Sequence, residues 1–130
     1  MNFSFMRRCL AACVPMLACL VSGAASAAAT YPARPIRLLV PFAPGGGADA
    51  LARIITPRLS EGMGQQWVVD NRGGAAGNIA AETVARAAPD GYTAFMGFNT
   101  VLTVNPTLYK LPFSVEKDLQ PVTLLATAQY

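Results

Sequence analysis

The feature that most constrains the fold is an alternation of short β-type runs with helix-type runs, joined by links rich in glycine and proline. Strands are predicted at 36–40, 66–70 and 93–97, where β-branched and aromatic residues are frequent. Helices are predicted between them, at 48–62 and 79–88. Short links between successive strands and helices predict a parallel sheet with right-handed crossovers. The expected fold class is therefore α/β, an open parallel sheet with flanking helices.

The first predicted helix carries an apolar face that we expect to be buried, formed by Leu51, Ile54, Ile55 and Leu59. Asp49 lies in its first turn, where a carboxylate suits the positive end of the helix dipole, and Arg53 is a favourable partner four residues on. Pro57 should kink this helix, because its ring clashes with the carbonyl of residue 53. Gly62 and Gly64 are expected to end it.

The sequence also predicts where the second helix begins and ends, and it predicts a strand near the C-terminus. Asn78 is suited to cap the second helix, and Pro89-Asp90-Gly91 should stop it. Val122–Ala126 is rich in β-branched and apolar residues, so it is predicted to be a last strand.

The first 29 residues have the order of a secretory signal peptide. Met1–Arg8 ends in two arginines, Cys9–Gly23 contains no charge, and small residues follow. The uncharged run is interrupted by Pro15 and falls short of the ~20 residues that a membrane-spanning helix needs. We therefore expect residues 1–27 to be a signal peptide cleaved after Ala27, and residues 28–130 to lie in the periplasm.

Composition argues against several function classes. The chain has 10 Lys and Arg against 7 Asp and Glu, and subtracting the leader cations Arg7 and Arg8 leaves 8 against 7. Nucleic-acid binding is disfavoured, because phosphate affinity needs clustered cations. The sequence has no His, and its three Cys all lie in the leader. We therefore expect no catalytic residue, no metal and no cofactor.

Loops rich in small residues follow all three predicted strands, at Pro44–Asp49, Arg72–Asn78 and Phe98–Thr100. Ligands of open parallel sheets bind at this carboxyl edge, where the strand order reverses. Helix N-termini there offer unpaired N–H groups, which predicts a small anion such as a carboxylate or phosphate. Such loops also serve simply as tight turns. Asp49 would compete with an anion for the same donors, so we interpret it chiefly as a capping group.

A dinucleotide-binding enzyme domain is the competing interpretation. Gly45-x-Gly47-x-x-Ala50 after a strand, with Asp70 twenty residues beyond, formally matches that fingerprint. The signal peptide argues against it, and Asp70 can equally be the polar end of the second strand. Arg72 is the one cation in the three loops of the sequence. It could pair with an acid, but as a lone charge it is expected to be solvated.

Several longer motifs occur in order along the chain: Tyr31-Pro32, Pro35-Ile36-Arg37-Leu38, Val40–Arg53, Asn71-Arg72, Gly74-Ala75, Gly77-Asn78-Ile79, Ala88–Thr93, Asn105–Tyr109 and Asp118–Thr123. Together they resemble the substrate-binding proteins of tripartite tricarboxylate transporters, the Bug family. The resemblance implies a periplasmic, two-lobed Venus flytrap fold, of which residues 28–130 form the N-terminal α/β lobe. It also implies capture of a small organic acid by a monomer that delivers it to membrane permease subunits.

The family's ligand-binding positions carry over to two loops, which contain Pro44, Gly45, Gly46, Gly47, Ala48 and Asp49 in the first and Asn99 and Thr100 in the second. The resemblance implies that backbone groups and ordered water hold a ligand carboxylate between them. Ala48 lacks the hydroxyl that many relatives carry. Gly73, Ala76 and Ala80 stand where the family usually has Pro, Gly and Gly.

Length is the main departure from the family. Members are about twice this size, as two domains of ordinary length require. We therefore expect a chain truncated to about the first lobe, either a weak binder or a non-functional remnant.

Overall fold

Three parallel strands form the sheet, in the spatial order β2-β1-β3. The computed structural model describes residues 30–127, so the predicted signal peptide lies outside the described residues. The strands are β1 (Ile36–Val40), β2 (Trp67–Asn71) and β3 (Thr93–Phe95). In register, Leu38 of β1 lies between Val69 and Ala94. The predicted parallel α/β sheet is confirmed.

Within residues 30–127, four helices and two tight helical turns connect the strands or follow them. The helices are α1 (Gly47–Met63), α2 (Asn78–Ala85), α3 (Asn105–Leu108) and α4 (Val115–Asp118). A single 3₁₀ turn (Ala75–Gly77) precedes α2, and a π-helical turn (Thr100–Val104) precedes α3. Among the helices of residues 30–127, none is long and apolar enough to cross a bilayer.

The positions of α1 and α2 follow from the strand order. Helix α1 connects β1 to β2, and α2 connects β2 to β3, which lies on the other side of β1. The two crossovers therefore run in opposite directions across the sheet. Since crossovers between parallel strands are right-handed, this reversal places α1 and α2 on opposite faces.

The core lies between β1 and α1, where Leu38, Val40, Ala52 and Met96 form one buried cluster. Leu51 and Ile55 pack against it, as predicted. Ile54 does not belong to the buried face, because it is 67% exposed. The buried residues of α1 include Ala52 and Thr56. The face of α1 that contacts the sheet is therefore centred on these small residues, and Ile54 lies outside it.

The predicted helix boundaries are partly right. Helix α1 continues as one element through Pro57 and ends at Gly64, whose φ of 67° is left-handed. Helix α2 ends at Ala85, three residues earlier than predicted. Asn78 does not cap it, because Gly77 occupies the N-cap position and the Asn78 side chain accepts a hydrogen bond from Asn105 instead.

The predicted last strand is wrong. Residues 119–127 have no regular secondary structure, and Val122 and Leu124 are 94% and 77% exposed. A strand forms only where a neighbouring strand pairs with its backbone. Within the described range, no strand pairs with this segment, so its β-type composition alone does not make it one.

Candidate functional site

Two loops meet at the carboxyl edge of the sheet. Phe42 follows β1 and Phe98 follows β3, and their rings pack edge to face with centroids 4.9 Å apart. The strands β1 and β3 are neighbours, and the crossover that follows β1 and the crossover that precedes β3 lie on opposite faces of the sheet. A crevice at such a switch point is where open parallel sheets bind ligands. The structure therefore brings into contact Phe42, which precedes the Pro44–Asp49 loop, and Phe98, which precedes Asn99 and Thr100.

The loop after β1 exposes its backbone. Pro44, Gly45, Gly46 and Gly47 are exposed, and Ala48 is half-buried. Gly45 has a φ of +86°, a left-handed conformation that favours glycine. Gly46 is the N-cap of α1, and it makes no side-chain capping bond. The first-turn N–H groups of α1 therefore receive no cap from residue 46, and they lie at the positive end of the helix dipole.

Asp49 stabilises the loop after β1 through hydrogen bonds of its buried side chain. The side chain is buried, and its Oδ2 accepts hydrogen bonds from the Gly45 N–H and from Arg53 Nε, each at 3.0 Å. The hydrogen bond from Arg53, with a further one from the Gly45 N–H, keeps the pKa of Asp49 below its ordinary value. The ionised carboxylate therefore fixes the bend at Gly45, as expected of a capping group.

The loop after β3 places Asn99 and Thr100 on the surface, at the start of the π-helical turn. The Oδ1 of Asn99 accepts a hydrogen bond of 2.7 Å from Thr103 Oγ1. This side-chain oxygen is thus engaged within its own turn. The contact between Phe98 and Phe42 brings the start of this loop against the segment that leads from β1 to the first loop.

The third predicted loop, Arg72–Asn78, begins beside the segment that leads from β1 to the first loop. The Arg72 N–H donates to the Val40 carbonyl at 2.8 Å, and Asn71 Nδ2 donates to the Phe42 carbonyl at 3.2 Å. Phe42 was not predicted for the site, and Phe98 was predicted only as the start of the loop after β3, not as a ligand-binding residue. The signal that could have identified both is the Phe that closely follows the end of each strand.

Asp70, the acidic residue of the dinucleotide-binding fingerprint, pairs with arginines of the chain. Asp70 Oδ2 lies 3.1 Å from Arg72 Nε and 3.5 Å from Arg37 Nε. Of the two outcomes considered for Arg72, pairing with an acid is the one observed, because the strand end brings Arg72 next to Asp70. Between residues 30 and 127, no cluster of three or more side chains could hold a metal ion.

A concavity lies at the opposite, amino edge of the sheet. It is an open groove of about 340 Å³, lined in part by Arg34, Arg37 and Tyr92. Arg34 pairs with Asp90 at 2.8 Å, and Arg37 lies 3.5 Å from Asp70. Because both cations already have acidic partners, this groove is a weaker candidate for an anion than the carboxyl edge.

Known proteins provide an independent comparison. Residues 51–130 match the sequence profile of a family described as the tripartite tricarboxylate transporter family receptor. A UPF0065 protein of Bordetella pertussis is 42% identical over 127 residues, which cover 97% of this chain and 38% of the relative.

Two solved structures from Rhodopseudomonas palustris are also similar. MatC, which has bound malate, is 41% identical with a TM-score of 0.70, covering 73% of this chain and 33% of that one. A second protein, solved with adipate, is 54% identical with a TM-score of 0.50, covering 52% and 22%. The chain thus matches only 22–38% of the length of these relatives.

Proposed function

The chain belongs to the tripartite tricarboxylate transporter receptor family, as its motifs predict, and on that premise we propose that it binds a small organic carboxylate in the periplasm. The family consists of transport receptors, so the residues of the carboxyl edge are assigned to binding and none to catalysis. The partners proposed with this role are the membrane permease subunits of the transporter.

One observation carries the proposal: an exposed glycine loop at the start of α1 lies beside the loop after β3. Gly45, Gly46 and Gly47 leave the main chain accessible, and Phe42 and Phe98 join the two loops. Glycines allow a ligand to approach the backbone closely, and a helix start whose N-cap residue is a glycine leaves first-turn N–H groups that favour a negative charge. Malate and adipate, bound by two relatives, are dicarboxylates, which favours a carboxylate over a phosphate.

The longer relatives suggest how the site is completed. We place residues 28–130 as one α/β lobe of a two-lobed binding protein, with residues 1–27 as the export signal. In this arrangement the Pro44–Asp49 loop, together with Asn99 and Thr100, forms one wall of the cleft. Ligand pockets bury roughly 70–90% of a small ligand, so a single wall predicts weaker binding than a complete cleft.

Thermal unfolding of the chain with malate or adipate tests the proposal. Ligand that binds only the folded state raises the melting temperature, and a concentration of about 100 times Kd contributes ~2.7 kcal/mol. Gly46→Val should abolish this rise, because the side chain would cover the backbone that the acid approaches. The variant should fold, since the φ of Gly46 is −83° and the nearest atom to an added Cβ is 3.7 Å away.

Gly62→Val is the matched control. Gly62 lies near the other end of α1, and an added Cβ there meets no atom within 4 Å. This variant should keep the rise in melting temperature with malate or adipate. The proposed site is wrong if Gly46→Val keeps the rise as well.

A further inference from the structure

The turn before α2 is strained. Ala75, Ala76 and Gly77 have φ values of 46°, 56° and 89°, so three successive residues are left-handed. Only glycine adopts this region routinely, and two of the three residues are alanines. Non-glycine residues stay in such conformations only where the surrounding structure fixes them.

Asn105, the first residue of α3, holds this turn in place by hydrogen bonds. Its side chain is 1% exposed, and its Nδ2 donates hydrogen bonds to the Ala76 carbonyl at 3.0 Å and to Asn78 Oδ1 at 2.6 Å. Both acceptors belong to the turn or directly follow it. A buried amide without partners is unfavourable, so the two hydrogen bonds and the left-handed turn stabilise one another.

The turn Ala75–Gly77 also packs against the start of the loop that follows β1. A Cβ added to Gly77 would lie 2.7 Å from Val101 Cγ2 and 3.1 Å from Pro41 Cβ, so the backbone of Gly77 packs closely on both residues. Pro41 begins the loop that leads to Gly45. A change in the path of the turn therefore displaces the start of that loop.

From these contacts we propose that Asn105 is a positioning residue for the ligand site. It holds the left-handed turn Ala75–Gly77, and the turn supports Pro41 and the ligand loop after it. The inference rests on the proposed function only in identifying this loop as the one that binds the carboxylate. Asn105 itself acts through the turn.

Amide hydrogen exchange of the ligand-free chain, followed by NMR, tests the inference. Two amides report the local structure: Gly77 N–H, which donates to the Gly74 carbonyl, and Gly45 N–H, which donates to Asp49. Met96 N–H, which donates to the Leu39 carbonyl, reports the sheet. Asn105→Ala should speed exchange at Gly77 by about tenfold, and at Gly45 by several-fold, relative to Met96.

Thr107→Ala is the matched control. Thr107 lies two residues further along α3, and its Oγ1 also donates to a backbone carbonyl, that of Val104. This hydrogen bond is local to α3 and its preceding turn, so exchange at Gly45 and Gly77 should not change. Equal effects of both variants would overturn the proposal, because loosening α3 would then explain them.

A second variant separates positioning from general destabilisation. Ala76→Gly removes the strain at the position where φ is 56°, so the Asn105→Ala/Ala76→Gly double variant should bring exchange at Gly45 and Gly77 to within about twofold of the parent chain. If Asn105→Ala unfolds the chain and Ala76→Gly does not rescue it, Asn105 is a core residue without a positioning role. Unchanged exchange at Gly45 in Asn105→Ala would also overturn the proposal.

Malate addition keeps the two proposals distinguishable. If the parent chain gains no thermal stability from malate or adipate, the proposed function fails, whereas the exchange at Gly45 still decides the role of Asn105. If the parent chain does gain it, Asn105→Ala/Ala76→Gly should also gain it, and Asn105→Ala should gain less.

Discussion

The two edges of the sheet are built from different kinds of contact. At the amino edge, side chains make the contacts: Tyr31 OH donates to the Gly91 carbonyl, Arg34 pairs with Asp90, and the Arg34 guanidinium lies 4.3 Å from the Tyr92 ring centroid. At the carboxyl edge, glycines, left-handed residues and main-chain hydrogen bonds predominate.

This difference separates contacts that stabilise the sheet from the backbone proposed to bind a ligand. The aromatic and charged groups of the amino edge satisfy one another, so the groove there has few free partners for a ligand. The carboxyl edge keeps exposed N–H groups at the start of a helix, and holds them through buried contacts such as Asp49 and Asn105. A site of this kind needs precise support beneath the exposed backbone, because the binding groups themselves have no side chain to anchor them.

Gly77→Ala should have the largest effect, because it adds a Cβ at a position of the carboxyl edge where the neighbouring side chains leave no room. The added Cβ would lie 2.7 Å from Val101 Cγ2, on a backbone with a φ of +89°. Overpacking and left-handed strain together should lower the free energy of unfolding by about 2–4 kcal/mol. Urea denaturation measures this loss.

Gly62→Ala is the control for that substitution. It adds the same methyl group inside α1, where nothing lies within 4 Å. The free energy of unfolding should rise by about 0.5–1 kcal/mol, because glycine is unfavourable within a helix. Similar losses in both variants would show that the turn at Gly77 is not specially constrained.

Tyr31→Phe should have a smaller effect, and it tests whether the amino edge is separate. The variant loses the hydrogen bond of 2.8 Å to the Gly91 carbonyl but keeps the ring packed on Tyr92. We expect a loss of about 0.5–1 kcal/mol in urea denaturation. Amide exchange at Gly45 should stay unchanged relative to Met96, and faster exchange there would contradict the separation of the two edges.

The smallest effect should be on the pH dependence of stability, through Asp49. Arg53 and the Gly45 N–H lower the pKa of this carboxyl in the folded chain, below its ordinary value of 3.8. The stabilisation is therefore present above that ordinary value and is lost as the pH falls through the lower, folded pKa. Asp49→Asn should make the decline in urea midpoint at acid pH shallower.

Arg53→Gln should act in the same direction, because it removes the main cause of the lowered pKa. Both variants are compared with the parent chain between about pH 6 and pH 2. An acid decline as steep as that of the parent chain in both variants would contradict the role of Asp49 in fixing the loop.

Local sequence patterns predicted most of the fold. The β-type runs gave the three strands to within two residues, and Gly64 ended α1 as expected. These features depend on hydrophobic periodicity and on glycine conformations, which act over a few residues. The exposure of Ile54 and the irregular segment 119–127 could not be predicted this way, because they depend on which neighbouring elements are present to cover them.

Some features of the candidate site were likewise predictable from local sequence, and others were not. The glycine loop and Asp49 were identified from the sequence, because a glycine-rich link between a strand and a helix has a local signature. The contact of Phe42 with Phe98 and the hydrogen bonds of Asn105 were not identified, because each joins residues that are far apart in the chain. Ala76, noted only as a departure from the family's usual Gly, proved to be left-handed.

The sequence by itself determined the alternation of strands and helices, the parallel sheet and the family, because these follow from short-range patterns and ordered motifs. Tertiary structure decided that Asn78 pairs with Asn105 instead of capping α2, and that Arg72 pairs with Asp70. A polar side chain has several partners within reach, and only the packed chain fixes which one lies at hydrogen-bond distance.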